Sequence, residues 1–75
     1  MNAWEMLTNQ KAIISHFGTI SGAIQQRLED LGFYPGETII CLKIPPFNGP
    51  KVYQNSHGIF SLEHEVAACI EVNAI

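Results

Sequence analysis

Leu31-Gly32-Phe33-Tyr34-Pro35-Gly36, LGFYPG, sets a glycine and a Pro-Gly pair within six residues of one another. A glycine directly after a helical pattern marks a left-handed cap, because it lacks the Cβ that makes that conformation costly. Pro-Gly a few residues on marks a turn, with proline pre-setting φ and glycine taking positive φ. The stretch therefore predicts a helix that stops at Leu31 and a strand that begins after Gly36. Upstream, Ser21 is a good N-cap, and GAIQQRLEDL carries Ile24, Leu28 and Leu31 at i, i+4 and i+7, one apolar face of a short helix. Gln25, Gln26, Glu29 and Asp30 cover the other face, and Arg27 flanks the stripe.

Working outward, KAIISHF (11–17) reads as a first strand ended by Gly18, with Leu7 as the first core anchor before it. GETIICLKI (36–44) is the strongest strand, stopped by Pro45-Pro46. FNGP (47–50) contains Asn-Gly, a strong hairpin signal, and predicts a turn centred there. Strands follow at 51–54 and 59–62 with a turn at 56–58. One tight helical turn is expected at 63–67, and a last strand at 69–72. Five short strands, one helix and frequent turns predict a mainly β chain, a small barrel with the helix inserted after the first strand and plugging one open end. Phe33 would drop into the barrel mouth.

The 75 residues suit one small domain, read as a single unit over 1–75, near the lower limit for a core without disulfides or metal. With 47% hydrophobic and 15% charged residues, disorder is not expected. A net charge of −3, with only Lys11, Arg27, Lys43 and Lys51 basic and scattered, argues against nucleic acid as partner. No apolar run approaches the ~20 residues that span a bilayer, and the start MNAWEMLTNQ lacks a signal-peptide pattern, so a cytoplasmic location is expected. Cys41 and Cys69 form no CxxC and read as inward-facing structural thiols.

No nucleophile-and-base motif or phosphate-binding glycine loop is visible, and the carboxylate pairs Glu29/Asp30 and Glu63/Glu65 read as solvated charges. No catalytic residue and no enzymatic activity are expected. Glu63-His64-Glu65, with His57 brought near across the last hairpin, is a candidate weak site for zinc, iron or another first-row metal, though no closed structural spacing is matched. His16, among apolar neighbours, reads as structural. If Ile39 and Cys41 face the core, Ile40, Leu42 and Ile44 face outward. Such a stripe is either a partner surface or is covered by the loop around Phe47 or the segment bearing Trp4.

Arg27 to Gly36, RLEDLGFYPG, resembles the R-L-x-x-L-G-apolar-x-P-G core of the ferrous iron transport protein A family, FeoA. Pro46-Phe47-Asn48-Gly49-Pro50 resembles that family's P-L-G-D-P hairpin. Phe60-Ser61-Leu62, the acidic turn through Ala67, and Ile70-Glu71-Val72 resemble its closing segment. The resemblance covers about residues 7 to 72. It implies an SH3-like barrel similar to the one in iron-dependent transcriptional repressors. It also implies a cytoplasmic, non-enzymatic accessory of bacterial ferrous iron uptake that contacts the FeoB-type permease at its cytosolic GTP-binding region and meets the membrane only through it. No cofactor is implied as required, and whether the domain forms a homo-oligomer is left open. The alternatives are a metal sensor or delivery domain and a repressor-type regulatory domain. Lys51 stands where an apolar residue is usual in the family, and Glu63 and His64 stand where basic residues are common. The expected docking groove combines Phe33 and Tyr34 with Ile44, Pro46 and Phe47.

Overall fold

The computed structural model describes all 75 residues. A single 3-10 turn, Ala3–Glu5, precedes strand β1 (Lys11–Phe17), helix α1 (Gly22–Asp30), and strands β2 (Thr38–Lys43), β3 (Lys51–Asn55) and β4 (Gly58–Leu62). The short helix α2 (His64–Ala67) and strand β5 (Ile70–Ala74) complete the chain. All strand pairs are antiparallel, in the order β4-β3-β2-β1-β5. No helix is long and apolar enough to cross a membrane.

The core shows that the sheet curls. Leu62 from one edge strand and Ile70 and Val72 from the other belong to the same buried cluster as Ile14, Ile39, Cys41 and Tyr53. In a flat five-stranded sheet those edges would lie roughly 19 Å apart, at about 4.8 Å per step. Rolled up, the five strands form the expected SH3-like barrel, with Leu28 of α1 and Phe33 buried against its interior. Of the predicted helical face, Leu28 is buried and Leu31 half-buried, whereas Ile24 is 41% exposed and lies outside the core.

The LGFYPG segment folds as its composition demands. Gly32 has φ +98°, its N–H donates to Glu29 O (3.0 Å), and Phe33 N–H donates to Leu28 O (2.9 Å). These two bonds close a Schellman cap, with the Leu28–Phe33 apolar pair beneath it. Pro35-Gly36 makes the predicted turn, with Glu37 N–H on Tyr34 O (3.0 Å) and Gly36 at φ +93°. Gly36 N–H then donates to Ile14 O (2.8 Å) and Ile14 N–H to Glu37 O (2.9 Å), which docks the turn on β1.

Several expectations fail for local reasons. Leu7 is 68% exposed, and the buried anchor is Met6. The 3-10 turn decides this, since Asn2 and Glu5 exchange a capping box that orients Ala3 and Met6 inward. β5 begins at Ile70, so Cys69 falls in the preceding turn, half-buried, with its Sγ near Thr19 O and Glu65 O. Only Cys41 is a core thiol, and burial pushes its pKa up. His16 is exposed beside Ser15 Oγ (3.1 Å) rather than packed inside.

Lys51 is the buried charged residue that apolar patterning could not place. Its Nζ donates to Trp4 O and to Met6 O (3.4 Å) and sits 4.6 Å from the Trp4 ring centroid. Tyr53, two residues on and on the same face of β3, donates from its hydroxyl to Ala3 O (2.7 Å). Together they tie the 3-10 turn to β3. Lys51→Met keeps the apolar stem but removes the donor from two carbonyls, an expected loss of about 1–3 kcal/mol. The check is a lowered urea midpoint with Trp4 emission shifted to the red. An unchanged midpoint would show the lysine to be a bystander.

Candidate functional site

The hairpin between β2 and β3 is braced by three prolines, Pro45, Pro46 and Pro50. Its turn is not centred on Asn48-Gly49. Phe47 (φ +60°) and Asn48 (φ +57°) occupy the two left-handed positions, closed by Gly49 N–H on Pro46 O (3.3 Å). Pro50 biases the residue before it toward extended backbone, so the turn centre moves back by one. An aromatic in the left-handed region costs about 1–2 kcal/mol that glycine would not. The ring gains nothing by folding, for Phe47 is 99% exposed. Ile44, at 42% exposure, and the exposed Pro46 flank it. Ile40 and Leu42, the rest of the outward stripe, are half-buried.

Tyr34 lies elsewhere. It precedes β2 while Ile44 follows it, and six strand residues at roughly 3.3 Å each separate the two. Tyr34 instead meets the β3–β4 turn, with its Oη 3.3 Å from His57 Nε2. There Glu37 accepts from Ser56 Oγ (2.8 Å), and that hydrogen bond chiefly holds the Glu37 carboxyl below its usual range. The same carboxylate, as acceptor, raises the Tyr34 phenol. Asn55 locks the corner, donating to Leu31 O (3.1 Å) and accepting from the N–H groups of His57 (2.7 Å) and Gly58 (3.1 Å). Phe33 is fully buried, edge-on to Phe60 at 5.6 Å between centroids. The five-residue groove expected from sequence is thus not formed. Phe33 belongs to the core, Tyr34 to one end of the barrel, and Ile44, Pro46 and Phe47 to the other.

The candidate metal ligands separate likewise. His57 precedes β4 and Glu63 follows it, so His57 lies a full strand length from Glu63, His64 and Glu65. His64 packs its ring on Trp4, 4.9 Å between centroids. No group of three or more His, Cys, Asp or Glu side chains is arranged to hold a metal ion.

A feature that strand and helix patterning did not single out is a groove of about 280 Å³ between α1 and the β4–α2 corner. Ile24, Leu28, Leu31, Leu62 and Val66 give it apolar walls, with Arg27 and Glu63 at its sides. The signal was present in Ile24, an apolar residue on the helix stripe that the core does not use.

The FeoA domain family matches residues 1–74. The chain belongs to the FeoA family. Among solved structures, a FeoA crystal structure described as an iron uptake regulatory protein superposes with a TM-score of 0.89 at 24% identity, over 100% of this chain and 97% of that one. That likeness is one of fold. Iron(II) transport protein A from Clostridium thermocellum matches at TM-score 0.93 and 27% identity, over 100% of this chain but 46% of the other. Stenotrophomonas maltophilia FeoA, a procaryotic SH3 domain protein crystallised with zinc, matches at TM-score 0.84 and 25% identity over 97% and 89% of the two chains. No curated protein sequence matches this FeoA chain.

Proposed function

We propose that this FeoA chain is a non-enzymatic accessory of ferrous iron uptake that acts by protein contact on the cytosolic GTP-binding region of a FeoB-type permease. Family membership and the similarity to iron(II) transport protein A support the pathway. The observation that carries the mode of action is Phe47, an aromatic side chain held in a left-handed turn and left almost wholly in water. Strain and exposure combined at one residue have no folding rationale and suit a docking anchor. Three prolines limit the entropy lost when the hairpin is captured. Ile44 and Pro46 extend the apolar contact around it.

The test is capture of this chain by the purified GTP-binding region of the permease. Phe47→Ala should weaken capture about 30-fold, as expected for loss of a ~2 kcal/mol anchor, with circular dichroism unchanged. Binding equal to wild type, alongside loss of capture in His64→Ala or Glu65→Ala, would move the working surface to the acidic turn.

A further inference from the structure

Asn48 and Gly49 stand at the tip of the hairpin between β2 and β3, and the pair carries a reaction of its own. We propose that Asn48 is a self-modification site, whose side chain cyclises onto Gly49 and reopens as aspartate or isoaspartate, placing a negative charge beside Phe47. In the first step the Gly49 backbone nitrogen gives its proton to hydroxide and attacks Asn48 Cγ. A bond forms between Gly49 N and Cγ, the bond from Cγ to the side-chain nitrogen breaks, and ammonia leaves behind a succinimide. Water then opens the ring. Hydrolysis at Cγ restores the normal backbone with an aspartate side chain. Hydrolysis at the Asn48 main-chain carbonyl leaves isoaspartate, whose backbone runs through Cβ and Cγ. Water is the only reactant the chain does not itself supply.

The structure singles out this asparagine among Asn2, Asn9, Asn48, Asn55 and Asn73. Only Asn48 precedes a glycine, the residue with no Cβ to hinder the attacking nitrogen. Asn48 is exposed, at φ +57° beside Phe47 at φ +60°. Reaching Cγ requires the turn to leave those angles, and leaving them relieves the strain at Phe47. What opposes the change is the bond from Gly49 N–H to Pro46 O, at 3.3 Å longer than usual and made by the nitrogen that must react. Asn55, followed by the small Ser56, is the contrast. It is buried, its Nδ2 donates to Leu31 O (3.1 Å), and its Oδ1 accepts from the N–H groups of His57 (2.7 Å) and Gly58 (3.1 Å). Its carboxamide is held in place. At Asn48 the product matters because segment 43–51 carries Lys43 and Lys51 and no acidic residue. Isoaspartate also lengthens the backbone by an atom in the turn that presents Phe47. An effect on capture rests on the docking reading above, whereas the modification itself does not.

The experiment is incubation of the full chain at mildly alkaline pH, folded and in urea, as wild type, Gly49→Ala and Asn48→Gly. Anion-exchange chromatography reads the added charge, and peptide mass spectrometry locates it. An isoaspartate-specific methyltransferase reports the rerouted backbone. Folded wild type should convert at Asn48 within about tenfold of its rate in urea, because an exposed turn opens at little cost. Asn55 should stay intact in the folded chain. Gly49→Ala should slow the reaction about tenfold or more, folded and in urea alike, since its methyl group crowds the attacking nitrogen. A Cβ there meets Pro45 Cγ at 3.2 Å, which a small shift of the ring relieves, so the variant folds. Asn48→Gly adopts φ +57° freely and should give no acidic form at the hairpin. Circular dichroism checks both folds. Three results would each overturn the proposal: a folded chain that keeps Asn48 while the unfolded one converts, a charge gain that maps to another asparagine, or Gly49→Ala reacting at wild-type speed.

Discussion

Phe33→Ala should remove a large part of the stability of this domain. The ring is fully buried, edge-on to Phe60, in a core shared by every strand. Truncating a buried Phe costs about 3–5 kcal/mol, from lost burial and the cavity left behind. At roughly 0.05–0.15 kcal/mol per residue, a chain of 75 residues has about 4–11 kcal/mol in total. The variant should therefore show a strongly lowered urea midpoint and a thermal transition lowered by at least ~12 °C. A loss under ~1 kcal/mol would mean that the ring sits at the rim of the barrel rather than inside it.

Gly32→Ala should be nearly as damaging, for two separable reasons. The backbone there has φ +98°, which an L-residue adopts at a cost of about 1–2 kcal/mol. A Cβ would also stand 2.4 Å from His57 Cδ2, 2.9 Å from His57 Cγ and 3.0 Å from Asn55 Nδ2. Relieving that overlap displaces the His57 imidazole and crowds the Asn55 amide that donates to Leu31 O. The expected loss is about 3–4 kcal/mol. Gly32→Ala made in a His57→Ala background separates the two effects. In that background the clash with the imidazole is gone, and the Ala substitution should cost little more than the backbone conformation, about 1–2 kcal/mol, with only the 3.0 Å approach to Asn55 Nδ2 left. Equal losses in both backgrounds would show that the imidazole yields freely and that φ alone matters.

These two residues are neighbours, and their different legibility shows what a sequence can convey. The roles of Gly32 and Pro35-Gly36 are local, fixed within a few residues by which backbone angles each can adopt, so cap and turn were readable. That His57 fills the space where a Cβ would go is a contact across 25 positions, and no local pattern encodes it. Phe33 was legible as a mouth-filling aromatic, yet it was also assigned to a surface, because one side chain cannot reveal which neighbours enclose it. The docking residues failed on a simpler point. Tyr34 and Phe47 flank the same strand, and a strand keeps its ends apart. The candidate metal ligands failed in the same way, with His57 and Glu63 at opposite ends of β4. Lys51 was legible only as an oddity against family pattern. Its partners are backbone carbonyls of residues 4 and 6, which carry no side-chain signature.

The tie between β3 and the 3-10 turn bears on how the chain is made as well as on how it stands. Lys51 reaches Trp4 across 47 positions and Tyr53 reaches Ala3 across 50, while Val72 N–H donates to Met1 O. At synthesis rates of about 5–20 residues per second, residues 3 and 4 wait roughly 2–10 s for their β3 partners to be polymerised. Until then Ala3, Trp4 and Met6 lack the β3 side of their packing, and the barrel cannot be finished in order from one end. Closure must follow release of β5, as a late, non-local step of the slow kind that high contact order imposes. During that interval the Trp4 segment is without the β3 groups that hold it in the finished barrel.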